Sequence, residues 1–425
     1  MKKSLLAVAA MGAFASAAQA QSSVTVYGIL DVGYAGGSTR VTDSSKATTA
    51  TGAGYNSGSQ RVTTNQFGQS AEQTNRLGFK GVEDLGGGTS AFFTVEFALA
   101  PQDQTVSGNT NGGLSNRQTF VGLKKAGLGQ TAVGLQYTPV FNAAAATDPG
   151  QLNNMTGNVV YASSTGLTSG SASSNNFGFT NRTGNTLSVK SDNFAGFTAS
   201  AIYTLNNKNA TQTNLNTAGG AGTIGGNTNA NGWGLGVDYT WNKLYVTAAY
   251  QALKQLTTSD GALANTTPWT YAQANGATSA AGQSAATIAS GGYALNVQDN
   301  QFYAGATYDF GILKAYAQYV TRNATSTLNT NYYVKRSGEQ IGVRSYITPT
   351  IEAWASGGLG RYTAFGVNQP TSNFNGWQLG SNYWLSKRTN LYAIYGQTLQ
   401  STSASGTTST SAGLSNYAVG VRHTF

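Results

Sequence analysis

The sequence contains no cysteine and one histidine, His423. No disulfide can staple the fold, and no thiol can serve as nucleophile or metal ligand. A Ser-His-Asp site or a histidine-bearing metal centre has almost no material. Charge is scarce as well: Asp, Glu, Lys and Arg make up 9% of residues, against roughly 25% in an average globular domain. Beyond residue 20 no stretch offers the roughly 18 consecutive apolar residues that a membrane-spanning helix needs. The chain is therefore unlike a soluble globular protein and unlike a helical membrane protein. What fills the gap is 55 glycines and 23 tyrosines, with abundant Thr, Ser, Asn and Ala. Low charge without apolar runs is the composition of a transmembrane β-barrel, in which half of each strand faces lipid and half faces water. The net charge of +9 is scattered over the periodic segments instead of gathered in a run, which argues against a nucleic-acid partner. The close glycines of GLGVDY and GGLGRY lack the GxGxxG spacing ahead of a helix. They read as close packing inside strands. No cofactor, no metal and no catalytic residue is expected.

Residues 1–20 carry Lys2 and Lys3, an apolar core from Leu5 to Phe14, and the small-residue site Ala18-Gln19-Ala20. They read as a secretory signal peptide, leaving residues 21–425 as one barrel domain. In the last eleven residues, SNYAVGVRHTF, Tyr417, Val419, Val421, His423 and Phe425 share one parity, while Ala418, Gly420, Arg422 and Thr424 share the other. This is a strand with one apolar face. A strand of this kind with no turn after it needs an edge to pair with. VTVYGILDVGY (Val24 to Tyr34) can supply it, and pairing of the two would close the sheet.

Sixteen strands are expected: 23–34, 74–85, 89–101, 116–125, 130–137, 183–192, 197–206, 232–241, 243–253, 301–309, 312–322, 337–347, 350–361, 375–384, 389–398 and 415–425. Their connectors alternate in length. Gly86-Gly87-Gly88, Trp241-Asn242-Lys243, Phe310-Gly311 and Ser386-Lys387 are tight turns, and between them lie the long Ser/Thr/Asn/Ala/Gly-rich segments 35–73, 138–182, 207–231 and 254–300. Short turns on one rim and long loops on the other are the outer-membrane pattern, with turns periplasmic. Alternation also assigns faces. Leu77 and Phe79 point out, so Arg76, Gly78 and Lys80 point in. Ala91, Phe93, Val95 and Phe97 point out, so Glu96 points in. In Leu391–Tyr395 the two parities are equally apolar and the facing stays open. Tyr27, Tyr34, Trp241, Trp384 and Phe425 suit the aromatic girdles at the two interfaces.

The segments VTVYGILDVGY, NRLGFKGVEDLGGGTSAFFTVEF, NRQTFVGL, NTLSVKSDNFAGFTASAIY and YAVGVRHTF resemble, in order, the Gram-negative general diffusion porins, especially the β-proteobacterial kind. The resemblance implies a sixteen-stranded, water-filled, homotrimeric barrel in the outer membrane, embedded among its lipid and lipopolysaccharide, whose third external loop folds into the pore. It implies that the terminal strand, with Tyr417, Val419, Val421 and Phe425, is read by the outer-membrane assembly machinery. It places Arg76, Lys80 and Arg182 on the wall of a constriction, with Glu96 beside them and Asp148 on the loop. One position departs from the family: the arginine expected just before the third loop is Leu135, in VGLQYTP. Three positive charges against two negative predict a moderate preference for anions, which Leu135→Arg would increase. Three other readings stay open: a substrate-specific channel of the same fold, a soluble secreted β-protein such as an adhesin, and an outer-membrane hydrolase, the last disfavoured by the histidine count.

Overall fold

The computed structural model describes residues 23–43, 58–108, 113–162, 176–210, 226–257, 297–327, 333–364, 371–402 and 410–425. The expected signal peptide, residues 1–20, lies outside them, as do large parts of the expected long loops. The strands are β1 (Ser23–Asp43), β2 (Gly58–Gln69), β3 (Arg76–Gly86), β4 (Thr89–Ala98), β5 (Asn116–Lys125), β6 (Gly129–Tyr137), β7 (Arg182–Ser191), β8 (Phe197–Ala210), β9 (Gly226–Trp241), β10 (Leu244–Thr257), β11 (Val297–Asp309), β12 (Lys314–Ser326), β13 (Tyr333–Tyr346), β14 (Ile351–Ala364), β15 (Thr371–Trp384), β16 (Thr389–Thr402) and β17 (Thr410–Thr424), with one helix, α1 (Pro139–Thr147), between β6 and β7.

All seventeen strands belong to one antiparallel sheet, and β1 pairs with β17, which closes it. The count of seventeen reduces to sixteen staves because β2 and β3 lie end to end along β1. The lower half of β1 pairs with β3, from Ser23↔Val82 to Ile29↔Arg76, and its upper half with β2, from Val32↔Gln69 to Asp43↔Gly58. Alternation alone predicts only the lower piece of this stave and reads 35–73 as loop. The upper piece is polar on both faces, so its hairpin with β1 carries no apolar signal. Between the pieces, Ser70 takes a left-handed φ of 60° and the chain steps inward. Asp31, fully buried, holds the step. Its carboxylate accepts from the backbone amides of Glu72 and Gln73 at 2.8 and 2.7 Å and from the Tyr392 hydroxyl at 2.6 Å.

The barrel is apolar on the outside. In β15, Trp377, Leu379 and Tyr383 are exposed on the outer face, whereas Gln378 and Asn382, on the other parity, are buried. A period of two with polar residues facing in is what separates lipid from water across one strand. Closely spaced turns join β3–β4, β5–β6, β9–β10 and the other lower hairpins, with Asn242 and Gly311 supplying left-handed φ values of 51° and 91° where the chain reverses. At the seam, Gly28 and Phe425 exchange backbone hydrogen bonds of 3.0 and 3.1 Å. The Phe425 ring lies over Gly28, where a Cβ would stand 2.3 Å from it. The terminal strand thus needs a residue without a side chain opposite its last ring.

The described parts of the segment 138–181, residues 138–162 and 176–181, turn into the barrel. Thr138 caps α1, accepting from the Phe141 amide at 3.2 Å and donating to the Thr180 carbonyl at 2.8 Å, so the loop's two roots are tied together. Val140, Ala143 and Ala144 of α1, with Val159, Val160 and Phe179, pack on inward Ala249, Tyr303, Val320, Tyr362 and Phe374. Here the polar interior gives way to an apolar patch because a loop covers it.

Candidate functional site

Side chains on the inner wall of β10–β15 strap the loop down through its backbone. Arg344 donates to the Pro149 carbonyl at 2.6 Å and Arg322 to the Asn176 carbonyl at 2.6 Å, while Arg336 donates to the Val159 carbonyl. Gln378 donates to the carbonyls of Met155 and Thr156, each at 2.8 Å. Gln301 accepts from the Thr180 amide at 2.7 Å. At the loop's far reach, the Asn154 amide donates to the Ala71 carbonyl at 3.0 Å, in the step between β2 and β3. Two of these arginines are paired with carboxylates, Arg344 with Glu352 (2.7 Å) and Arg322 with Asp299 (2.6 Å). Arg336 instead donates to the Tyr362 hydroxyl at 3.2 Å and lies over the Tyr362 and Phe374 rings.

Asp148, expected on the loop at the constriction, faces the β10–β15 wall. It is 3% exposed and accepts from the Leu152 amide (2.8 Å), Asn158 (2.8 Å) and Gln340 (3.1 Å). Burial pushes its carboxyl above the ordinary range, against the pull of those hydrogen bonds and of Arg344. It is the only ionisable acid or base of Lys, Arg, His, Asp or Glu type in 138–181. The half-exposed or exposed side of the described loop consists of Phe141, Asn142, Ala145, Ala146, Gln151, Leu152, Tyr161, Ala162, Asn176 and Phe177. No charge stands there.

The opposite wall is different. Arg76, Lys80 and Glu96 occupy the inward parity of β3 and β4, as alternation predicts, and the Tyr27 hydroxyl on β1 donates to Glu96 at 3.0 Å. Lys80 is exposed, its Nζ 5.5 Å from the centre of the Tyr27 ring. Arg182, at the start of β7, donates to the Arg117 carbonyl at 2.6 Å and lies 5.8 Å from the Tyr137 ring centre. Arg117 is the residue that alternation misses. It donates to Glu96 at 2.7 Å and to the Tyr137 hydroxyl at 2.9 Å. Its parity matches that of outward-facing Val121. A register shift between β4 and β5, where Glu96↔Gln118 is followed by Phe97↔Asn116, makes Arg117 the extra residue of a bulge and turns it inward. Tyr137 stacks on Phe141 of α1 at 4.0 Å, which joins the cationic wall to the loop. Arg76 is within electrostatic reach of Arg117, Glu96 and Tyr27. The five expected residues therefore fall into two groups: Arg76, Lys80, Glu96 and Arg182 on one wall, and Asp148 buried against the other.

Leu135 pairs with Thr119, which pairs with outward Val95. An arginine there would enter the outer face, so the expected gain from Leu135→Arg is replaced by a cost.

The wall and the loop together can do one thing chemically: bound a passage with cations on one side and uncharged side chains on the other. Among known proteins, residues 7–403 match the family described as Gram-negative porin. Over 142 residues the chain is 36% identical to an outer membrane porin protein of Bordetella pertussis, covering 32% of this chain and 34% of that protein. Over 139 residues it is 36% identical to outer membrane porin protein 32 of Delftia acidovorans, covering 33% of each. The aligned stretches span about a third of the length of these curated relatives. Two solved structures share the fold. The anion-selective porin from Comamonas acidovorans has a TM-score of 0.59 at 19% identity, over 95% of this chain and 100% of that one. Vibrio cholerae OmpT in its trimer form has a TM-score of 0.56 at 12% identity, over 95% and 99%.

Proposed function

Because the chain belongs to the Gram-negative porin family, we propose that it is a multi-pass outer-membrane channel through which ions and small hydrophilic solutes diffuse passively, with a preference for anions. The observation that carries the reading is the asymmetry of the constriction. Half-exposed Arg76 and exposed Lys80, with Arg117 and Arg182 buried behind them, stand across from a loop segment whose one acid, Asp148, is buried against the other wall. Glu96 is the carboxylate beside these cations, and it is engaged by Arg117 and by the Tyr27 hydroxyl. A charge acts over about 8 Å at physiological ionic strength, so a passing ion feels the whole set. Low-dielectric walls strengthen that field.

The same reading carries the partners. The outer apolar belt, with Trp377, Leu379 and Val419 exposed, suits lipid and the lipid part of lipopolysaccharide. The terminal strand ending in Phe425 suits recognition by the assembly machinery, and a homotrimer is the assembly proposed, in keeping with the trimer form of the Vibrio cholerae neighbour. No step of this function requires a cofactor. The test is reconstitution of the detergent-extracted barrel into liposomes, with swelling measured in neutral sugars of graded size. Size-graded, non-saturable entry supports a diffusion channel; absence of swelling by the heat-modifiable, folded protein overturns it.

A further inference from the structure

Below the arginine cluster the inner wall carries a feature that a passage for hydrophilic ions does not need. Val82, Phe92 and Phe120 lie on the inward parity, the same as Glu96 and Lys80, with continuous register from Arg76↔Ala98 to Asp84↔Ser90 and from Thr89↔Lys125 to Glu96↔Gln118. Their facing does not rest on parity alone. The Phe92 ring covers Gly122, where a Cβ would meet its Cζ at 2.6 Å and the inward Ala132 at 2.9 Å. The two phenylalanine rings meet edge to face, centroids 6.3 Å apart at 76°. Both rings are half-exposed and Val82 is 51% exposed. Unlike the apolar patch under α1, this one is covered by no described residue of the loop. Lys80 adjoins it. It pairs with Thr94, which pairs with Phe120, so Phe92 is its diagonal neighbour across β3 and β4, at about 7–8 Å.

An exposed lysine across one strand from an edge-to-face aromatic pair matches a ligand with a negative end and a flat apolar body; its Nζ lies over the Tyr27 ring on the other side of β3, and swings from there to meet such a ligand. The patch is on the side of the lumen that carries the cations. We infer that Lys80, Val82, Phe92 and Phe120 form a weak subsite for small aromatic carboxylates, entered by anions that the arginine cluster draws into the pore. The carboxylate sits at Lys80 and the ring lies on Phe92 and Phe120, adding a third aromatic to the pair. Aliphatic anions such as acetate gain the Lys80 contact but not the ring contact. This rests on the channel reading above and names a solute class for it.

The experiment is block of chloride current through the reconstituted full-length protein in planar bilayers, with potassium benzoate or potassium acetate added at equal ionic strength. The wild type should show saturable block by benzoate and none by acetate. In Phe92→Leu/Phe120→Leu, which keeps apolar volume, half-block should need about three- to tenfold more benzoate, the loss expected for one aromatic pair. Lys80→Gln should weaken block as well, and cyclohexanecarboxylate should block less than benzoate. Chloride conductance recorded for each variant before benzoate is added reports whether the channel itself has formed. Equal effects of benzoate and acetate on the wild type would overturn the subsite, and so would unchanged block in the double variant or in Lys80→Gln. No chloride current through the wild type would overturn the channel reading, and the subsite with it.

Discussion

At the scale of single residues, the chain shows how an inside-out barrel spends its few charges. Leu77 is on the lipid-facing parity of β3 and Arg76 is on the water-facing one. A charge introduced by Leu77→Lys should destabilise the barrel by about 2–4 kcal/mol near the bilayer midplane, whereas Arg76→Gln should leave its urea midpoint nearly unchanged. Equilibrium unfolding of both variants in detergent checks the register, since a one-residue slip would exchange the two outcomes. Asp148 gives a second test. Its carboxylate is turned into the loop and the wall, so Asp148→Asn should shift ion selectivity far less than Arg76→Ala, as read from zero-current potentials of the two variants. The parity that placed Arg76, Lys80 and Glu96 was legible from NRLGFKG and AFFTVEF because each has one apolar face. Arg117 was not legible. In NRQTFVGL the bulge that rotates it inward leaves no mark on the alternation, and only the β4–β5 register reveals it. The burial of Asp148 was illegible for a related reason: its partners Asn158 and Gln340 are ten and nearly two hundred residues away.

At the scale of elements, the inward loop is held by side chains that donate to its carbonyls, and a loop whose described residues have no regular structure beyond α1 needs such donors for its backbone. Gln378 serves two carbonyls at once and also contacts Asn153. Gln378→Ala orphans these acceptors at roughly 1–3 kcal/mol for a buried group. The expected result is a noisier open-channel current and a lower unfolding temperature; current noise and unfolding both equal to wild type would show that the strap is redundant. The terminal strand makes a second element-scale case. Its apolar face and its pairing with β1 were legible from SNYAVGVRHTF, because its alternation is unbroken and VTVYGILDVGY offers a matching apolar-faced edge. The slot at Gly28 that receives the ring was not, since glycines recur throughout these strands. Gly28→Val places side-chain atoms where the ring and the Arg76 carbonyl now lie. It should lower the yield of folded, protease-resistant barrel much as deletion of Phe425 does, a comparison that gel mobility without boiling makes directly. The stave formed by β2 and β3 was half legible, because its upper piece offers only Val62 and Phe67, on opposite parities, as large apolar side chains among polar neighbours.

At the scale of the whole molecule, sixteen staves and an inward loop produce a passage with two unlike sides. Behind the loop Arg322 and Arg344 are paired with Asp299 and Glu352 and Arg336 lies over the Tyr362 and Phe374 rings, whereas on the opposite wall Arg76, Lys80, Arg117 and Arg182 gather around Glu96. Selectivity follows from that arrangement of charge, more than from the net charge of the chain. The most direct measurement is the zero-current potential across a tenfold KCl gradient, recorded for the wild type and for Arg76→Ala at low and high total salt. The account predicts a potential of the sign given by chloride permeating faster than potassium, reduced in Arg76→Ala and weakened as salt shortens the Debye length. A potential of potassium sign in the wild type, or one that Arg76→Ala leaves unchanged, would contradict it.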